Sequence, residues 1–445
     1  MQRHTRLLAS RWSISRSCKA AAAGALLLTL IACSVNPVTG KKELAWMSEA
    51  WEMQVGKQYY APQQQAGGGY YSLDPELTRY VRSVGKKVAA HAAREHLPYD
   101  FVVLNDSTPN AWALPGGKIA INRGLLNELN NEAELAAVLA HEVVHADARH
   151  SAQSQEVGTL IAGGQMLATV LLANSDHNSA AMQQGVALSA LYGQTRYSRS
   201  RELEADRYGM EYMRKAGYDP MAAVSLQQTF VRLSQGGRQD FFSALFASHP
   251  PSPARVEANR ATAAELPPGG VLGEGGFASA TAALKRREPA YDAASEAEKA
   301  LANKDYQGAM ALADRAIAIE PRESRFYELR GIALSRMNRV QDALTAYNRS
   351  ISLDPNYFSP ILRRGLLKHQ LNSYSEAERD LKASLKLAPT EIAFVKLGQI
   401  AEVRGDICGQ AMNYYQQAFQ AGGGRNPELQ NKLQALQSNC QRTGA

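Results

Sequence analysis

Apolar positions recur along this chain with two different periods, and the points where the period changes divide it into elements. Between Asn131 and His145, the residues Leu135, Val138, Leu139 and Val143 fall three or four apart, the spacing of one face of an α-helix. Asn131 stands where a capping side chain belongs and Glu134 follows three residues on, so this helix begins there. Upstream, Asn36-Pro37-Val38-Thr39-Gly40 reads as a tether-like start. A helical pattern then runs from about Ser48 to Tyr60 and yields to a polar, glycine-rich break from Gln63 to Gly69. Asp74 and Pro75 open a second helix with a buried stripe of Leu77, Tyr80, Val81, Val84 and Val88. Tyr99 to Leu104 is strand-like, and Lys118 to Asn122 alternates as a half-buried strand does. That second strand is either a sheet edge that an extended peptide can join or an interior strand entered through an ordinary turn. Gly116 and Gly117 permit close backbone approach in either case.

Val157 to Ala173 is apolar and approaches membrane-spanning length, but Gly163, Gly164 and Gln165 interrupt it. It reads as a buried or lid helix, and Asn174 to Asn178 as a loop whose His177 is not a metal ligand. After Arg260 the pattern changes again. Leu266-Pro-Pro-Gly-Gly to Gly276 reads as a linker. Beyond it Pro321, Pro355 and Pro389 recur about every 34 residues, as do Ala309, Ala343, Ala377 and Ala411, while Gly331 and Gly365 keep the phase. This is tetratricopeptide spacing, and it predicts four helix pairs stacked into a solenoid with a concave binding face. The expected divisions are a leader at 1–32, a first domain at 33–265, a linker at 266–287 and a repeat domain at 288–445.

Composition refines the picture at the N-terminus. Arg3, Arg6, Arg11, Arg16 and Lys19 precede an apolar run of about 13 residues starting at Ala20, the layout of a secretory signal too short to span a bilayer. Leu30-Ile31-Ala32-Cys33 resembles a bacterial lipobox, which implies cleavage before Cys33, lipidation of its thiol and, with Ser34 next, sorting to the outer membrane. Five of the formal +7 charges leave with the signal, so the basic balance does not point to a nucleic-acid partner. Cys408 and Cys440 are then left in an oxidising compartment, where a disulfide between them is expected.

The chemistry sits on the capped helix. His141 and His145 are one turn apart and aim two imidazoles at one point, as a tetrahedral zinc ion requires, and Glu142 between them is the natural general base. The longer metzincin pattern fails, because Ala148 and Ser151 occupy its glycine and third-histidine positions. A third ligand is expected from a second helix around Ser200 to Gly209. There Glu202 and Asp206 share a face: Glu202 would complete the set, and Asp206 would accept the outer Nδ1–H of His141 or His145. Glu204 points elsewhere and is expected to be solvated, while small Ala205 keeps the approach narrow.

His141-Glu142-x-x-His145 with Glu202-x-x-x-Asp206, preceded by Asn110-Ala-Trp-Ala-Leu-Pro-Gly-Gly and followed by Ser248-His249-Pro250 and Arg255, resembles the peptidase family of the CAAX prenyl proteases and HtpX-type heat-shock proteases. The resemblance implies a mainly α, zincin-like α+β protease domain with a small β-sheet, ahead of the α-solenoid. It implies one zinc ion on His141, His145 and Glu202, and it places His249 and Arg255 at the active site. His249, stiffened by Pro250 and Pro251, would stabilise the oxyanion or take the fourth zinc position and hold the enzyme latent. Lipobox, metalloprotease and repeats together resemble the BepA-like proteases that maintain β-barrel assembly. The expectation is a zinc endopeptidase lipid-anchored in the periplasm to the outer membrane. It would degrade stalled or misfolded outer-membrane proteins and meet the assembly machinery through its repeats. The alternative is a chaperone or scaffold with vestigial proteolysis.

Overall fold

The computed structural model describes residues 33–154, 197–235 and 241–443. The expected leader, the apolar stretch 157–173 and the loop carrying His177 lie outside the described residues. Cys33–Val35 (β1) and Lys42–Leu44 (β2) form an antiparallel hairpin where a tether was expected. Asn36 is the reason: its Oδ1 accepts from Val38 and Thr39 backbone N–H groups, and its Nδ2 donates to the Ala148 carbonyl at 3.3 Å. The turn is thereby pinned beside the histidine-bearing helix.

Ser48 caps helix α1, Glu49–Ala66, which runs past the expected stop at Tyr60. Pro62 does not end it, and the break begins only at Gly67. Tertiary contact outweighs the polar composition, since the Gln65 amide donates to the Asn356 carbonyl and accepts from the Phe358 N–H, far along the chain. Asp74 caps α2, Pro75–Ala89, by accepting from the Leu77 N–H at 3.1 Å. Three strands follow: β3 Asp100–Leu104, β4 Ala111–Leu114 and β5 Lys118–Asn122. Their order is β3-β5-β4, with β3 parallel and β4 antiparallel to β5. Lys118–Asn122 is therefore the central strand, and of the two readings left open the interior one holds. The sheet's edges are β3, where the Tyr71 N–H donates to the Val103 carbonyl and the Asn105 N–H to the Gly69 carbonyl, and β4, a strand the sequence reading passed over. Gly116 and Gly117 adopt φ near 75°, and their close approach is internal: a Cβ would lie 3.1 Å from the Glu52 carbonyl oxygen at Gly116 and 2.8 Å from the Tyr99 ring at Gly117.

Alternation along the strands splits the interior. Phe101, Val103, Ala111, Ala113, Ile119 and Ile121 face the main core, while Val102, Leu104, Trp112, Leu114 and Ala120 pack on Val55 of α1. Helices α3 Arg123–Glu128, α4 Glu132–Asp147, α5 Arg199–Lys215, α6 Met221–Gln235, α7 Ser243–Ser248 and α8 Pro253–Glu265 complete this region.

The stretch 266–287 is not a free linker. Val271 bridges Tyr218, the Leu272 carbonyl accepts from the Ala133 N–H at 3.0 Å, and α9, Glu274–Ala302, passes straight through the expected boundary at 288. Phe277, Thr281 and Leu284, at helical spacing, are fully buried against the first region. The end of α9 pairs with α10 Tyr306–Ile319. Then come α11 Ser324–Arg336 with α12 Val340–Leu353, α13 Phe358–Gln370 with α14 Tyr374–Leu387, and α15 Glu391–Val403 with a π-helical turn at Ile407–Ala411 leading into α16 Met412–Ala421. A last helix, α17 Pro427–Thr443, covers the open end. Ala309, Ala343, Ala377 and Ala411 are all fully buried, and a Cβ at Gly331 would lie 2.6 Å from the Tyr347 ring, so the periodic small residues are close-packing positions. Phe326 and Leu329 of α11 belong to the core of the first region. Cys408 and Cys440 are bridged, with their Cα atoms 5.7 Å apart. Among the described residues no helix is long and apolar enough to cross a membrane.

Candidate metal centre

Helices α4 and α5 bring the chemistry together because their backbones almost touch. A Cβ at Gly209 would lie 3.2 Å from the His141 nitrogen, so only glycine lets α5 settle this close. Ala205 on the same face is fully buried. Asn131 caps α4 by accepting from the Glu134 N–H at 2.9 Å, and two turns of buried apolar side chains later His141 and His145 emerge side by side.

Their Nε2 atoms stand 2.9 Å apart. Glu202 of α5 reaches both, with Oε1 3.4 Å from His145 Nε2 and Oε2 3.6 Å from His141 Nε2. His249, at the C-terminal end of α7, sends Nδ1 to within 3.2 Å of both His141 Nε2 and Glu202 Oε1. One donor atom from each of these four residues lies within 4.8 Å of every other. An ion held tetrahedrally by bonds of about 2.0–2.2 Å spaces its donors roughly 3.3–3.6 Å apart, so this set fits zinc in both chemistry and spacing.

Glu142 is buried beside the cluster, with Oε1 3.4 Å from His249 Nε2 and Oε2 without a partner among the described residues. Burial pushes its carboxyl above the ordinary value against the pull of His249 and His141. Burial likewise holds His145 well below its ordinary value, and so neutral. Asp206 lies behind His141, with Oδ1 3.0 Å from Nδ1, which resolves the choice left open between the two histidines. Arg255, 2 % exposed, lines the same cavity as His141, Glu142 and His249. It donates to both Asp206 oxygens at 2.7 Å and reaches Glu202 Oε2 at 2.8 Å. Burial raises the Asp206 carboxyl, but the Arg255 guanidinium, ahead of His141, brings it below its ordinary value.

Three participants escaped the sequence reading. Glu204, expected in solvent, lies 3.1 Å from His150 Nε2, and His150 Nδ1 lies 2.8 Å from Nδ1 of His145. Tyr197 stacks on the His145 ring at 3.8 Å. A residue two positions from Glu202 faces the far side of α5. The sequence could not show that the chain leaving α4 returns there, through Arg149 at φ 63°.

Residues 75–263 match the model of peptidase family M48, and residues 324–357 match a tetratricopeptide repeat. Residues 75–263 are thus similar to peptidase family M48. Proteins similar to this chain include the putative beta-barrel assembly-enhancing protease of Vibrio cholerae, 33% identical over 204 residues, which are 44% of this chain and 41% of that protein. The beta-barrel assembly-enhancing protease of Escherichia coli is 30% identical over 190 residues, 42% of this chain and 39% of that one. The mitochondrial metalloendopeptidase OMA1 of Arabidopsis thaliana is 33% identical over 174 residues, 38% of this chain and 34% of its own length. The chain thus spans about two fifths or less of the length of these relatives.

Proposed function

We propose that this chain is a zinc endopeptidase, anchored through Cys33 at the periplasmic face of the outer membrane, that cuts misfolded or stalled outer-membrane proteins and aids their assembly. The observation that carries the reading is the convergence of His141, His145 and Glu202 around one point, with the Glu142 oxygen, unpartnered among the described residues, beside it. The relatives named as assembly-enhancing proteases support the choice of substrate.

Zinc held by His141, His145 and Glu202 would supply Lewis-acid polarisation of a carbonyl and the activation of water near neutral pH. Glu142, its carboxyl raised by burial, is the group placed to accept a proton and to pass it to the leaving amine. Asp206 fixes the tautomer of His141, and Arg255 holds both acids of α5 in place. His249 keeps a nitrogen among the ligands and acts as a latch, so that substrate must displace it.

Main-chain pairing selects an extended chain. Asn122 N–H donates to the Asn110 carbonyl, so along β4 the backbone groups of Ala111 and Ala113 face outward, away from β5. A peptide added at this edge passes the metal ligands, because Ala111 lines the same cavity as His141 and Glu142. Leu226, Phe230, Met210, Met213 and Leu245 make that cavity apolar, suited to a hydrophobic side chain next to the scissile bond. The concave groove across α9, α11 and α13 serves to dock the assembly machinery.

The test is Glu142→Gln in full-length protein and in cells lacking the gene. Casein cleavage is expected to fall about 10²–10⁴-fold with zinc retained, and envelope integrity to stay defective. Restoration equal to wild type would mean that the repeats act as a chaperone or scaffold without proteolysis.

A further inference from the structure

Among the described residues no carboxylate stands behind Nδ1 of His145, in contrast to His141, which is backed by Asp206. The His145 Nδ1 meets another imidazole, His150, 1 % exposed, which in turn meets Glu204. We propose that His150 and Glu204 are positioning residues for the zinc ligand His145, forming a two-step hydrogen-bonded relay that sets its tautomer and ring plane. The proposal rests on the zinc reading above.

The bonding order follows from the donors available. If Nε2 of His145 gives its lone pair to zinc, Nδ1 must carry the proton. At 2.8 Å the two Nδ1 atoms share one proton, so His150 Nδ1 accepts. A neutral imidazole that accepts at Nδ1 holds its proton at Nε2, and that proton faces Glu204 Oε1 at 3.1 Å. Each atom in the chain then has one role, running from His145 through His150 to a carboxylate. The relay performs for His145 what Asp206 performs directly for His141, and both acids come from α5, where Glu204 lies two residues from Glu202 on one side and two from Asp206 on the other.

The surroundings hold His150 in this position. Arg149 takes a left-handed conformation, φ 63°, uncommon for a residue with a long side chain, and turns the chain back at the end of α4. Its guanidinium is fastened to Glu52, itself buried, and to the Met47 carbonyl. Tyr197 stacks on His145 with its rings 14° from parallel, and its hydroxyl lies 2.8 Å from Ser151 Oγ, next to His150. The ring of His145 is thus fixed on its face by Tyr197 and on its edge by His150. A strained backbone retained by such contacts marks a position whose geometry matters.

The test is zinc affinity, measured by competition with a chromophoric chelator on the full chain. His150→Leu removes acceptor and donor together and is expected to weaken zinc binding 10–100-fold, the usual cost of losing such a partner. His150→Asn places an amide oxygen near the position of Nδ1 and should recover most of the affinity. Glu204→Gln, at the more accessible end, should produce an intermediate loss and covers the case in which His150→Leu fails to fold. The metal-free melting temperature of Glu204→Gln should match that of wild type, which a purely structural role would not allow alongside weaker zinc binding. Wild-type affinity in both His150→Leu and Glu204→Gln overturns the relay, as does an Asn variant no better than Leu. Failure of the wild-type protein to bind zinc would instead overturn the underlying reading of the site.

Discussion

Arg255 offers the most direct check on how the centre is held together. Its guanidinium is the cation between two buried carboxylates, touching Asp206 through Nε and Nη2 at 2.7 Å and Glu202 through Nη1 at 2.8 Å. Replacement by leucine keeps bulk but leaves the Glu202 and Asp206 carboxylates without their shared cation when no metal is bound. Removing one partner of a buried pair costs about 3–5 kcal/mol, and two orphaned acids put this site at the upper end. Adding Asp206→Asn to Arg255→Leu deletes one of those charges, so the double variant should be more stable than additivity predicts by about 1 kcal/mol or more. All three tryptophans beyond the expected leader, Trp46, Trp51 and Trp112, lie ahead of the repeats, so their fluorescence during guanidinium unfolding in the presence of chelator follows the part of the chain that carries the metal centre. An Arg255→Leu variant within 1 kcal/mol of wild type, or strict additivity with Asp206→Asn, would refute the charge argument.

Two further outcomes follow from other parts of the structure. His249→Ala removes the nitrogen that sits among the ligands, and casein cleavage should rise; unchanged or abolished cleavage is incompatible with a latch. Cys408 and Cys440 close a loop of sequence separation 32, which in the chain-entropy model contributes about 3–4 kcal/mol. Because Ala401, Ala411, Tyr415, Ala418, Leu429 and Leu436 form a separate cluster, reduction should open the last helices locally. Trypsin should then cut faster after Lys432 while tryptophan fluorescence stays native, and equal rates with and without reductant would argue against it.

Much of the site was legible because its signals are local. His141, Glu142 and His145 lie within one helical turn or so, and Glu202 and Asp206 are four apart, so helical periodicity alone places each group on a common face. The caps at Asn131 and Asp74 and the 34-residue recurrence of alanines are equally short-range. What the reading lost were features defined by distant neighbours. Glu204 faces away from Glu202, and only the return of the chain through Arg149 places His150 against it. Strand β4 is four residues with no alternation, buried on both faces, and its edge position follows from the pairing order alone.

The chain's own pattern of residues therefore determined the helices, the repeat period and the set of groups able to hold a metal, since each depends on spacing within a few turns. Tertiary structure decided which strand is left open, that α9 runs unbroken from one region into the other where a linker was expected, and which histidine receives which acid. Those outcomes depend on side chains far apart in sequence sharing a buried space, where an unpaired polar group is too costly to leave without a partner.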